Sequence, residues 1–138
     1  MAVITYINFN GNCREAVEYY AQCFGKGKPQ IMTYASMPSD PDFSIPEESK
    51  NLVMNATVNI SDSYIMFSDV LPGMPFIAGN NISIAVVSKS IEEIKFLFNK
   101  LKEGGTVNMK IQKTFWSECF GSLTDKFGID WQLSYDNE

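Results

Sequence analysis

The sequence contains no histidine. That removes the Ser-His-Asp triad, the Cys-His dyad, imidazole-ligated zinc and histidine general-base chemistry. Cysteine is scarce. Cys13, Cys23 and Cys119 are an odd number with no CxxC spacing, which argues against a disulfide framework or a Cys-rich metal site. Basic residues are outnumbered, 11 against 16 acidic, for a net charge of −5. A nucleic-acid protein needs basic surface against phosphates, so no nucleic-acid partner is expected. No run approaches the ~18 apolar residues of a membrane span. The opening MAVITYINFNGN has no basic region followed by an apolar stretch, so no signal peptide is read there. Reduced thiols and the lack of a leader point to the cytoplasm, with no membrane partner. No Ser/Gly-rich or like-charge block marks a linker or tail.

What is present is a chain of 138 residues that is 45% hydrophobic and 13% aromatic, enough to bury the core of one domain. Two segments carry a helical stripe. Cys13, Ala16, Val17, Tyr20, Ala21 and Phe24 recur at helical spacing, with Asn12 and Glu15 placed as a capping box and Gly25 as the left-handed stop. Ile91, Ile94, Leu97, Phe98 and Leu101 repeat the pattern, with Ser90 as N-cap, Glu93 three residues on, and Gly104-Gly105 at the end.

Residues 3–9, 52–60, 63–68, 81–87, 106–112, 118–124 and 129–135 are β-rich, and 29–35 form a weaker strand. Several alternate with a period of two. Met54, Ala56, Val58 and Ile60 oppose Asn55, Thr57 and Asn59, and Trp131, Leu133 and Tyr135 oppose Asp130, Gln132 and Ser134. Such strands pack one face on a core and turn the other to something polar. Residues 36–51, with Pro38, Pro41 and Pro46, read as a loop. The order strand, helix, strand, strand, strand occurs in 1–70 and again in 80–138, with 71–79 between, and the caps Asn12 and Ser90 are 78 residues apart. An α+β duplication is therefore expected, with a concave polar face between the halves as a ligand site.

YINFNGNCREAVEYYAQCFG, YIMFSDVLPG and above all QKTFWSECFGSLTDKFGIDWQL resemble the PhnB-like branch of the glyoxalase / bleomycin-resistance / extradiol-dioxygenase superfamily, the vicinal-oxygen-chelate fold. The resemblance covers nearly the whole chain in order. It implies a single glyoxalase-like domain over 1–138, built of two βαβββ modules (about 1–70 and 80–138) that form an open barrel-like cup, usually in a homodimer. In metal-using members, His, Gln or Glu side chains from four strands hold a divalent ion. Carried onto this chain, those positions fall on Ile4, Thr5 or Tyr6, on Met66, on Asn81 and on Gln132, and a His of many PhnB-like relatives falls on Asn55. Amide oxygens, a hydroxyl and a thioether bind divalent ions weakly, so no metal or other cofactor is expected. One divalent metal is the alternative. Some PhnB-like sequences carry a ubiquinone-methyltransferase label, but no glycine-rich strand–loop–helix turn for a nucleotide-type cofactor is visible.

Asn55, Asn81 and Gln132 are read as polar cup lining, against a solvated sheet face as the alternative. Tyr6 and Asn8 share one face of the first strand, and Tyr6 fits either the cup or the core. Phe115 and Trp116 either lid the cup or pack a turn, and packing is preferred. Asp125 is read as bonding its own backbone in the turn 124–128. Glu118 is the one carboxylate near the distinctive motif and the candidate general base or metal ligand, against an exposed strand residue. Cys119 has no His partner and reads as a small half-buried thiol. The methionines read as core filler, Met66 excepted. The cup so assembled is neutral. The reading favoured is a metal-free, small-molecule-binding cup. The alternatives are a metal-dependent lyase- or dioxygenase-like enzyme, and a degenerate paralogue acting through protein interaction.

Overall fold

A computed structural model describes residues 1–25, 27–38 and 40–137. The chain divides into two compact units, Met1–Phe76 and Ile77–Glu138. The first runs β1 (Thr5–Phe9), α1 (Cys13–Phe24), β2 (Gln30–Thr33), β3 (Val53–Ile60) and β4 (Ser63–Asp69). The second runs β5 (Ser83–Ser88), α2 (Ile91–Leu101), β6 (Thr106–Gln112), β7 (Phe120–Thr124) and β8 (Asp130–Tyr135). The sheets have equivalent orders, β1-β4-β3-β2 and β5-β8-β7-β6. In each, the first strand pairs parallel with the last and the other pairs are antiparallel. The βαβββ order expected for both halves is observed. A single 3₁₀ turn at Tyr34–Ser36 replaces the end of the segment read as a weaker strand, and another at Glu47–Ser49 lies within the segment read as a loop.

Each helix buries its stripe on one face of its own sheet. In the first unit Cys13, Ala16, Val17, Tyr20 and Ala21 are buried with Phe9, Val53, Ala56, Val58, Ile65 and Phe67. The Tyr20 and Phe67 rings stack at 5.6 Å. Cys23 is buried and Phe24 only half-buried, the reverse of the expected stripe end. In the second unit Ile94, Leu97, Phe98 and Leu101 are buried, as are Leu123, Trp131 and Leu133. A Cβ on Gly121 would lie 2.8 Å from Phe98 Cε2 and 3.0 Å from Ile111 Cδ1, so only glycine fits on β7 there.

Two expectations are corrected. Strand β3 does not alternate cleanly, because the β2–β3 register shifts between Met32 and Thr33 (Met32 opposite Asn55, Thr33 opposite Val53). The bulge puts Val53 in the core and leaves Met54 half-buried. The capping box at Asn12 does not form either. Asn12 makes no side-chain cap bond. Instead the buried carboxylate of Asp69, at the end of β4, accepts from Gly11 N (2.9 Å) and Cys13 N (3.0 Å) through Oδ1, and from Val53 N (2.9 Å) through Oδ2. A carboxylate at a helix N-terminus satisfies orphan donors and opposes the positive dipole end, so it displaces the weaker local cap. Helix α2 is capped as its sequence predicts, with Glu93 N donating to Ser90 Oγ at 3.2 Å. Gly25 ends α1 in the left-handed conformation, φ 65°, and donates to Ala21 O.

Candidate functional site

The face of the first sheet opposite α1 is open. The register aligns Tyr6, Met66, Thr57 and Gln30 in one row across β1, β4, β3 and β2. A second row holds Asn8 beside Ser68, and Ser68 Oγ donates to Asn8 Oδ1 at 3.1 Å. Asn55 Nδ2 reaches Tyr6 Oη at 3.5 Å, and Met32 stands opposite Asn55. Four sequence-predicted residues, Tyr6, Asn8, Asn55 and Met66, are thus brought onto one surface. The register ambiguity of β1 resolves outward: Tyr6 is 45% exposed, while Phe9 is buried. Tyr34, beside this face, donates its hydroxyl to Asp69 O at 2.9 Å. Burial, then the neighbouring Tyr6 and Asp69, raise its pKa.

In the second unit Gln132 lies on the open face of β8, between Ala85 of β5 and Ser122 of β7. It borders a pocket of about 480 Å³ walled also by Ser83, Asn108, Thr124 and Asp130. Asn108 Nδ2 donates to Thr124 Oγ1 (3.1 Å), and Thr124 Oγ1 donates to Asp130 Oδ1 (2.5 Å). The neutral lining expected from sequence is corrected here, because Asp130 adds a carboxylate. Alternation put Asp130 on the correct face; what was missed is that Asn108 and Thr124 converge on it across two other strands. Asn81 stands outside the sheet, two residues before β5, and the residue beside Gln132 on β5 is Ala85.

The aromatic pair also departs from the packing reading. Phe115 is 97% and Trp116 53% exposed. Their turn needs no buried ring, because backbone and hydroxyl bonds hold it: Thr114 N to Ser117 O (2.8 Å) and Ser117 N to Thr114 Oγ1 (3.1 Å). Trp116 meets the edge of Phe115 at 4.8 Å and of buried Phe120 at 5.2 Å. Phe120 lies two residues before Ser122 and so shares the face of Gln132. Exposed Glu118 borders a separate recess of about 510 Å³ with Lys113, Phe115 and Trp116. The methionines are not core filler. None is fully buried, and Met32, Met74 and Met109 are exposed at 51%, 61% and 37%. Asp125 behaves as read: its Oδ1 accepts from Phe127 N and Ile129 N, and its Oδ2 from Trp131 Nε1.

These residues do not fit a resident divalent ion. Among the described residues no three cysteine or acidic side chains converge. Tyr6, Met66, Asn81 and Gln132 offer a phenol, a thioether and two amides, a weak donor set. Nor is either helix N-terminus free for an anionic cofactor, since Asp69 takes the first and Ser90 caps the second. Cys13 is no nucleophile. Burial, then Asp69, push its pKa up to about 12.

Paired βαβββ units of this topology define the glyoxalase / bleomycin-resistance / dioxygenase fold. Structures of that superfamily from Burkholderia phytofirmans and Sphaerobacter thermophilus match the fold at TM-scores of 0.61 and 0.56, each at 16% identity. Residues 1–134 match the family model described as 3-demethylubiquinone-9 3-methyltransferase. The chain is 31% identical to Protein YjdN of Escherichia coli K12 over 97% of its own length and 95% of that protein's. It is 34% identical to protein PA1353 from Pseudomonas aeruginosa, with TM-score 0.86 over 99% of this chain and 98% of that one. The PhnB protein from Bacillus cereus follows at 26% identity and TM-score 0.74, over 99% and 100% of the two chains. The chain belongs to this PhnB-like family.

Proposed function

We propose that the protein binds a small, partly apolar organic molecule without a resident metal, as a cytoplasmic homodimer. The observation that carries this reading is the make-up of the two open sheet faces. Each presents amides and hydroxyls beside soft or aromatic side chains: Asn8, Asn55 and Thr57 beside Tyr6 and Met66, and Gln132 and Ser122 beside Phe120 and Trp116. Methionine adapts to ligand shape and tyrosine offers a flat apolar body with a polar tip, a lining suited to amphipathic ligands. The methyltransferase description belongs to the family model. It supplies no cofactor site in this chain, and transfer of a methyl group is not part of the proposal.

Thermal unfolding of EDTA-treated protein tests it. Mn²⁺, Fe²⁺, Co²⁺, Ni²⁺ and Zn²⁺ are each expected to leave the midpoint unchanged, while a flat amphipathic ligand raises it for the wild type and less for Tyr6→Ala. A native-state ligand adds about 2.7 kcal/mol at a hundredfold excess over Kd. A saturable rise with one metal, lost in Glu118→Ala, overturns the reading in favour of a metal-dependent enzyme. A second reading, contact with another protein chain, is favoured by the exposure of Phe115 and Trp116. It predicts that Phe115→Ser with Trp116→Ser changes the mass measured by light scattering. On the binding reading that double variant alters ligand affinity and leaves the mass unchanged.

A further inference from the structure

Among the described residues that line the second unit's pocket, Asp130 is the one charged side chain. Asn108 spends an amide N–H on Thr124, and Thr124 spends its only proton on Asp130 Oδ1. What remains in the wall is the second carboxylate oxygen of Asp130, the carbonyl oxygen and second N–H of Asn108, and the Asn80 and Gln132 amides and the Ser83 and Ser122 hydroxyls, which serve either way; Asp130 alone of these is acceptor-only. No lysine or arginine is among the residues that form the wall. Asp130 is half-buried, so its charge is less screened than on an open surface. A protonated primary amine carries three donors and one positive charge, and matches this set. The surrounding hydroxyls and amides would take the hydroxyls of the same molecule. We propose that this pocket binds a small hydroxylated primary amine, of amino-sugar type, with its ammonium on Asp130. The inference rests on the small-molecule reading above and narrows it to a ligand class.

The test is a matched pair of probes, glucosamine and glucose, titrated into the full chain at neutral pH and followed by ¹H–¹⁵N NMR. Glucosamine is expected to shift the amide signals of Ser83, Ser122, Asp130 and Gln132 saturably. Its affinity should exceed that of glucose by about tenfold or more, the value of one charge-assisted hydrogen bond. Asp130→Asn keeps an oxygen for Thr124 and should bring glucosamine down to the level of glucose, with signals outside the pocket unmoved. Should that variant not fold, salt decides on the wild type: added NaCl weakens glucosamine and leaves glucose unchanged. Equal affinity for the two probes, salt-independent binding of glucosamine, or full affinity in folded Asp130→Asn each overturns the proposal. So does a lack of saturation by glucosamine. Equal affinity at this pocket leaves the small-molecule reading standing; that reading falls on the metal and mass measurements instead.

Discussion

At the scale of single residues, Asp69 is the most connected polar group of the first unit. It is 2% exposed, and three backbone N–H groups from two separate segments end on its carboxylate. An orphaned buried donor costs about 1–3 kcal/mol. Asp69→Ala is therefore expected to lower stability by about 3 kcal/mol or more in urea unfolding. Cys13 gives a second residue-scale prediction, with its sign set by linkage. Its folded pKa of about 12 exceeds the ordinary thiol value of 9.0, so between these values the unfolded chain has lost a proton that the folded chain keeps. Stability is then complete below pH 9 and falls as pH rises toward 12. Urea midpoints across that range should drop for the wild type and drop less for Cys13→Ala. The upward shift of Tyr34 acts in the same direction.

At the scale of elements, the two helices solve one problem differently. Ser90 caps α2 through its own hydroxyl, whereas Asn12 does nothing comparable for α1. Ser90→Ala should cost about 1 kcal/mol and Asn12→Ala only a small fraction of that, measured by thermal unfolding. Gly121→Ala forces a methyl toward Phe98 and Ile111 and should cost about 1–3 kcal/mol. These contrasts show what was legible in the sequence. Apolar spacing placed both helices and all eight strands to within two residues or so at their ends, because periodicity is a local signal. The Ser90 cap was legible for the same reason. The Asp69 cap was not, because its partners lie 58 and 56 residues away. The β3 bulge escaped notice because a register shift belongs to a strand pair, not to one strand. The Asn108–Thr124–Asp130 chain escaped it because three strands build it.

At the scale of the whole molecule, the repeated order βαβββ could be read from helix and strand sequence alone, although the two halves share little identity. Residues 72–79 are exposed, with Ile77 at 93%. Exposed chain without strand pairing is cut first by proteases. Limited chymotrypsin digestion is expected to nick after Phe76 before any site within α1 or α2, as read by mass spectrometry of early fragments. In no part of the described chain is a helix long and apolar enough to cross a membrane. The candidate site was half legible: Tyr6, Asn8, Asn55, Met66 and Gln132 fall on open sheet faces as alternation and resemblance placed them. Asn81 lies off the strand, and the exposure of Phe115 and Trp116 was hidden because residue type alone argues for burial.

The carboxylate of Asp69 also sets an order of events as the chain leaves the ribosome. Helix α2 carries its cap within itself and needs nothing downstream to finish its first turn. Helix α1 is different: its N-terminal donors wait for a residue that emerges only after β2, the loop and β3 have been synthesised. Until then the helix start is open to water and to competing anions. Completion of the first unit is thus timed by the arrival of the end of β4, and a nascent chain stopped short of residue 69 should hold α1 frayed at its first turn.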